Sequence, residues 1–150
     1  MKKWKPIFIE NSKIPVWLSY IAPIEIKAIS IGIFVWCRSS MSSITKRHET
    51  IHFQQQLELL FLPFYILYVL GWLYGLWKYR DAAVAYRENV FERESFASDY
   101  IEGYLETRSR YAWVKHWSDD KDDYKERIRR SKRDSIAYAA QKKVDKPDQT

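Results

Sequence analysis

Cysteine is nearly absent. Cys37 stands alone among 150 residues. That excludes an intrachain disulfide framework and any zinc module that takes two or more thiolates from this chain. Histidine is scarce too, and three residues are too few for a large metal cluster. Neither a glycine-rich phosphate loop nor an internal repeat is present. No charge of one sign dominates: 25 Lys+Arg and 19 Asp+Glu give +6, with the signs well mixed. Such a balance favours weak attraction to anionic surfaces and indicates no specific nucleic-acid partner. A hydrophobic share of 47% excludes disorder over most of the chain. What the sequence has in abundance is aromatic rings, at 17% with seven tryptophans. Either the core is aromatic or part of the surface meets lipid.

The N-terminus, Met1-Lys2-Lys3-Trp4-Lys5, imitates the start of a signal peptide. Glu10, Asn11, Ser12 and Lys13 interrupt the apolar stretch that would have to follow, and no small-residue cleavage site is seen. The expected location is cytoplasmic or membrane-associated, without a signal peptide. Residues 59–77, LLFLPFYILYVLGWLYGLW, carry no charge and then meet Lys78 and Arg80. The run has transmembrane length. It equally suits a buried helical hairpin bent at Pro63, Gly71 or Gly75. Basic residues flank it on both sides, so no orientation follows.

Residues 1–40 read as strands and turns. Ile24–Ile31 alternates in places, and Ile29–Trp36 is a second apolar run with Gly32 as a bulge or close-approach point. The period then changes. Ser42 or Ser43 can cap a helix running to Glu58, Asp81 opens another, and Asn89 caps a third from Val90 to about Leu105. After Trp117 the composition turns strongly charged. Part of that tail, 124–141, suits a solvated helix, and 142–150 suits disorder. The domain expected is 1–117, with 118–150 as a charged, partly disordered tail. Cys37 reads as a small core residue.

His48-Glu49-Thr50-Ile51-His52 is an HExxH motif. Residues four apart stand one above the other on a helix, so the two imidazoles can grip one zinc ion. Glu49, on the adjoining face, can take a proton from a water that zinc has acidified. Such a site needs a third ligand. His116 lies near the end of the folded region, and the helix after Asn89 is the better place to search. Glu92 and Glu94 both lie there, about 200° apart, so only one can face a given ion. Glu92 is also placed to complete a capping box with Asn89. Gln55 shares the face of His48 and His52, and either orients a ligand or is a satisfied core residue. Tyr86, Arg87, Tyr100 and Tyr104 are candidates for steadying an oxyanion.

HExxH followed by a helical glutamate resembles the zincin metallopeptidases, in the gluzincin-type branch whose third ligand is glutamate. The likeness runs loosely from Ile24 to Tyr111, and Gln55 stands as in HExxHxxQ members. It is closer to a small uncharacterised HExxH family than to any well-studied peptidase. The resemblance implies Glu92 as third zinc ligand, with Glu94 as the alternative. Val90 stands for the usual Pro, Ser95 for the usual Ala, and Phe96 where some members have Asp. Asp99, on the face of Glu92, can replace that lost carboxylate as support for a ligand. It further implies an α+β, mainly helical zincin-like domain. Its parts would be a short N-terminal β region, an HExxH helix, an apolar helical hairpin and a third-ligand helix. An edge strand, for which Ile29–Trp36 is the candidate, would pair with an extended peptide. The activity expected is zinc-dependent hydrolysis of a peptide or protein substrate, with Glu49 as general base. The alternatives are a non-catalytic protein anchored to a membrane by 59–77, and a structural zinc domain. One constraint links these readings. A single span at 59–77 would put His48 and Glu92 on opposite sides of the bilayer.

Overall fold

The computed structural model describes residues 4–22, 26–117, 125–133 and 136. The chain is α+β and mainly helical. Strand β1 (Ile7–Ile9) leads into helix α1 (Ile14–Ile21), followed by β2 (Ala28–Ile31) and β3 (Phe34–Cys37). These strands form one sheet in the order β1-β3-β2, with β1 parallel and β2 antiparallel to β3. Helices α2 (Ser43–Glu58), α3 (Leu62–Tyr79), α4 (Ala82–Arg87), α5 (Val90–Ser98) and α6 (Tyr104–Thr107) follow. A 3-10 turn, Ala112–His116, closes the body.

The N-terminal region departs from the expected run of strands, because α1 is a helix. Pro15 lies in its first turn, where a missing N–H costs nothing. The Ser12 hydroxyl accepts the Ile14 N–H at 3.2 Å and helps to start it. The Ile29–Trp36 run is also not one strand. Gly32, at φ +61°, turns it into the β2–β3 hairpin. A positive φ is cheap only for glycine, which is why the run breaks there. Of the two strands in that run only β2 lies at an edge of the sheet, β1 forming the other edge, and β2 packs on α2. Part of that edge is occupied. Ser30 C=O accepts from Gln56 Nε2 at 3.2 Å, and Gly32 N–H donates to the Tyr65 hydroxyl at 2.7 Å. Tyr65 in turn donates to Gln56 Oε1 at 2.8 Å.

The caps of the later helices match the sequence pattern. Ser42 accepts from Thr45 N–H, Asp81 from Ala83 and Val84 N–H, and Asn89 from Phe91 N–H. The helix after Asn89 ends sooner than expected, at Ser98. Gly103, at φ +77°, and the turn before it separate α5 from α6.

The apolar run does not fold into a hairpin of its own. Pro63 falls in the first turn of α3 and starts that helix without bending it. The reversal lies just before, where Leu60 and Phe61 both have positive φ and α2 meets α3 at 116°. The glycines serve contact, not bending. A Cβ on Gly75 would stand 3.0 Å from Ala85 Cα, so α4 folds back against α3 only because that atom is missing. Among the described residues, no single helix is long and apolar enough to cross a membrane.

Two apolar clusters hold the body. Val35, Cys37 and Met41, with Phe8 and Ala28, lie under the sheet. Phe64, Phe91 and Trp113, with Tyr65, Tyr68 and Val90, join α3, α5 and the 3-10 turn. Between them runs α2, buried without a break from His48 to Gln56. Part of the charged tail is more than a solvated helix. Residues 125–133 are helical, Ser131 is buried, and Arg127 meets Glu88 at 3.3 Å. The disorder expected for 142–150 falls outside the described residues.

Gly75→Val should lower the unfolding free energy by about 1–3 kcal/mol, because a side chain there must push α4 away. The urea midpoint reads this directly, and an unchanged midpoint would show that the two helices do not pack so closely.

Candidate metal centre

Helix α2 fixes the spacing of His48 and His52, and α5 brings Glu92 to them. His48 Nε2 and His52 Nε2 lie 3.2 Å apart. Glu92 Oε2 is 3.3 Å from the first and Glu92 Oε1 3.1 Å from the second. All three ligand atoms fall within 4.8 Å of one another. Asn89 caps α5, so Glu92 occupies its first turn. Its carboxylate nevertheless turns to the histidines instead of back to the cap, and Tyr68 donates to its Oε1 at 2.6 Å.

The hydrogen bonds behind the rings decide what the cluster can hold. His48 Nδ1 faces Asp99 Oδ2 at 3.0 Å. His52 Nδ1 faces Gln55 Oε1 at 2.9 Å. The orientation of the Gln55 amide is set by its nitrogen, which donates to Phe91 C=O at 3.1 Å and to Glu94 Oε2 at 2.9 Å. Each Nδ1 is thus engaged by an acceptor, and both Nε2 atoms point inward. They converge with a carboxylate, and Glu92 Oε2 is buried with no hydrogen-bond partner. Three acceptors at such distances repel unless a cation lies among them.

Titration expresses the same need. Burial opposes the charged form of His48, but the hydrogen bond to Asp99 and the Glu92 carboxylate beside the ring outweigh it and hold the ring up at about 10. Burial likewise opposes charge on His52, and Glu92 more than offsets it, so His52 is also raised. Burial raises Glu92, yet the two imidazoles prevail and hold it well below the ordinary carboxylate range. Two imidazoliums with nitrogens 3.2 Å apart repel each other. One divalent cation satisfies every inward atom at once, and two imidazoles with a carboxylate are a donor set that suits zinc.

Around this core the sequence candidates separate. Asp99 and Gln55 each hold a ring, and the backbone carbonyl of Asp99 accepts from Arg47. Glu94 points away from the cluster. It pairs with Arg108 at 2.5 Å and accepts from Tyr104 at 2.8 Å, so the alternative ligand has another task. Arg108 also reaches Glu58, which joins α2, α5 and the segment after α6. Of the oxyanion candidates, Tyr104 is committed to Glu94 and Tyr100 is exposed. Arg87 stacks over Phe96 at 4.7 Å, and that ring meets His48 edge-on at 4.8 Å. Burial raises the Tyr86 hydroxyl, and the nearby Glu92 charge adds to it.

Glu49 is buried beside the histidines, and burial pushes its carboxyl above the ordinary value against their pull. Its carboxylate has no hydrogen-bond partner among the described residues, so it is not tied down. Tyr68 is the residue that sequence reading missed. A signal was available: Phe64, Tyr68, Gly71 and Gly75 share one face of α3, and small residues mark a face packed against a neighbour.

Asp99→Ala and Gln55→Ala should each weaken zinc binding by about 10–100-fold, since each removes the support of a ligand ring. Glu94→Gln should leave zinc stoichiometry unchanged, whereas Glu92→Ala should abolish it. Competition against a chromophoric chelator measures all four, and equal losses for Glu92 and Glu94 would overturn the assignment of roles.

No protein-family model, no curated protein and no solved structure matches this chain, and what the site can do is read from its own donor atoms.

Proposed function

We propose that the protein is a zinc-dependent hydrolase of peptide bonds, with zinc held by His48, His52 and Glu92. The observation that carries this reading is the convergence of two inward Nε2 atoms and a buried carboxylate beside an untethered glutamate. Zinc bound there supplies a Lewis acid that acidifies water toward neutral pH and polarises a carbonyl. Every other part of the reaction falls to the chain itself. Glu49 takes the proton from the attacking water and returns it to the leaving amine. Its raised proton affinity suits that return. Asp99 and Gln55 keep the imidazoles in the one tautomer that leaves Nε2 open. Tyr68 holds the Glu92 carboxylate by donating to it.

The edge strand plays a smaller part here than in the zincins the sequence resembles. Ser30 C=O and Gly32 N–H are already bonded by side chains, so an extended peptide would find β2 open only toward Ala28.

The test pairs chemistry with metal content. Zinc-loaded protein should cleave members of a quenched-fluorescence peptide library. Glu49→Gln should reduce the rate by about 10²–10⁴-fold while keeping its zinc. A Glu49→Gln variant as active as the wild type would overturn the mechanism. Zinc binding without cleavage of any peptide would favour a structural metal site.

A further inference from the structure

Helix α3 has two unlike faces. Phe64 and Gly75 are buried against the body, and Tyr68 reaches the metal cluster. The other face is bare. Leu62, Ile66, Val69, Leu70, Leu73 and Trp77 are all exposed, Leu62 by 67% and Trp77 by 68%. At 3.6 residues per turn these six fall within an arc of roughly 100° and extend along about 22 Å of helix. The exposed Tyr74 widens the stripe. Nothing along it is charged until Lys78. A second element extends the surface. The β2–β3 turn is held to α3 by the Gly32–Tyr65 hydrogen bond, and it exposes Ile31 and Ile33 beside the start of the helix. Continuous apolar surface of this size on a folded protein marks an interaction site.

From this geometry we infer that the α3 face inserts, lying in the plane of the surface, into a bilayer that carries anionic lipid. Charge complementarity selects that occupant. Between Glu58 and Asp81 there is no acidic residue, and the bases in that interval, Lys78 and Arg80, are both exposed at one end of α3. The polar atoms of the stripe, the Tyr74 hydroxyl and the Trp77 indole, lie at that same end. Lys78 stands 5.9 Å over the Tyr74 ring. Aromatic rings grouped with basic side chains belong at the level of lipid headgroups, and bare aliphatic side chains belong below it. A protein partner would meet a different requirement, because protein interfaces carry polar groups through their rim. The opposite face of α3 is packed on α4 and α5, so the helix lies on the bilayer and does not cross it. The inference stands apart from the hydrolase reading, since nothing in it depends on zinc.

The 150-residue protein should be floated with vesicles of phosphatidylcholine alone and with added phosphatidylserine. The wild type should float with the anionic vesicles. Leu70→Glu with Leu73→Glu should reduce the bound fraction by at least about tenfold. Lys78→Glu with Arg80→Glu should remove the preference for phosphatidylserine. Both pairs should retain the wild-type circular dichroism and urea midpoint, which shows that they are folded. In a Cys37→Ser background, a fluorophore on Leu62→Cys should shift to the blue with vesicles, and one on Glu102→Cys should not. Wild type that stays unbound to both vesicles would overturn the inference, as would a Leu70/Leu73 pair that floats unchanged. Dimerisation of unbound wild type, abolished by that pair, would assign the face to a second copy of the chain. Loss of peptide cleavage with flotation intact would count against the hydrolase alone.

Discussion

A polar helix at the centre of a small protein is an expensive arrangement. From His48 to Gln56 every side chain of α2 is buried, and most of them are polar. A buried polar group without a partner costs about 1–3 kcal/mol, and an ionised one more. The rest of the fold is arranged to supply those partners. Asp99 and Gln55 take the ring protons, and Glu92 and Tyr68 enter from α5 and α3. Gln56 reaches the edge of the sheet through Ser30. The Arg108 pairs with Glu58 and Glu94 close the far end. Within this layer the buried apolar side chains are Ile51 and Phe53, and the two apolar clusters are built from other elements.

Much of this was legible from spacing alone. HExxH placed two imidazoles on one helix face, and the cap residues Ser42, Asp81 and Asn89 marked helix starts that the structure contains. Glu92 and Asp99, seven residues apart, were on one face of the next helix, and the fold brings both to His48. The reach of Gln55 back to His52 was likewise local. Other features depended on tertiary context. Helix α1 is rich in β-branched and aromatic residues and read as strand; Pro15 and Ser12 override that tendency at its start. The apolar run read as a hairpin because Gly71 and Gly75 look like breaks. Their actual role, close contact with Asn89 and Ala85, appears only once the partner helix is placed. Glu94 could not be excluded by sequence because its partner, Arg108, lies fourteen residues away beyond a turn.

The same run shows how one helix can carry two unlike faces. Its inner face carries an aromatic wall, in which Phe64, Tyr68 and Phe91 meet ring to ring. Its outer face is aliphatic and ends in a basic, aromatic cluster. A charge-free stretch is therefore no measure of how deeply a helix is buried, because hydropathy averages over faces that meet different surroundings. Here His48 and Glu92 lie 3.3 Å apart although the whole run separates them in sequence, and the chain makes that return through the sharp reversal at Leu60 and Phe61.

The clasp of Gln56 and Tyr65 on the sheet edge has a consequence for the protein in concentrated solution. A bare outer strand flanked by exposed isoleucines invites another chain to pair with it and begin a growing stack. On β2 the outward carbonyl of Ser30 and the outward amide of Gly32, at the apolar end of the strand, are already bonded. An incoming strand would find neither group free beside Ile31 and Ile33. The two side chains that close the sheet against α2 and α3 thereby also guard the molecule against self-assembly along that edge.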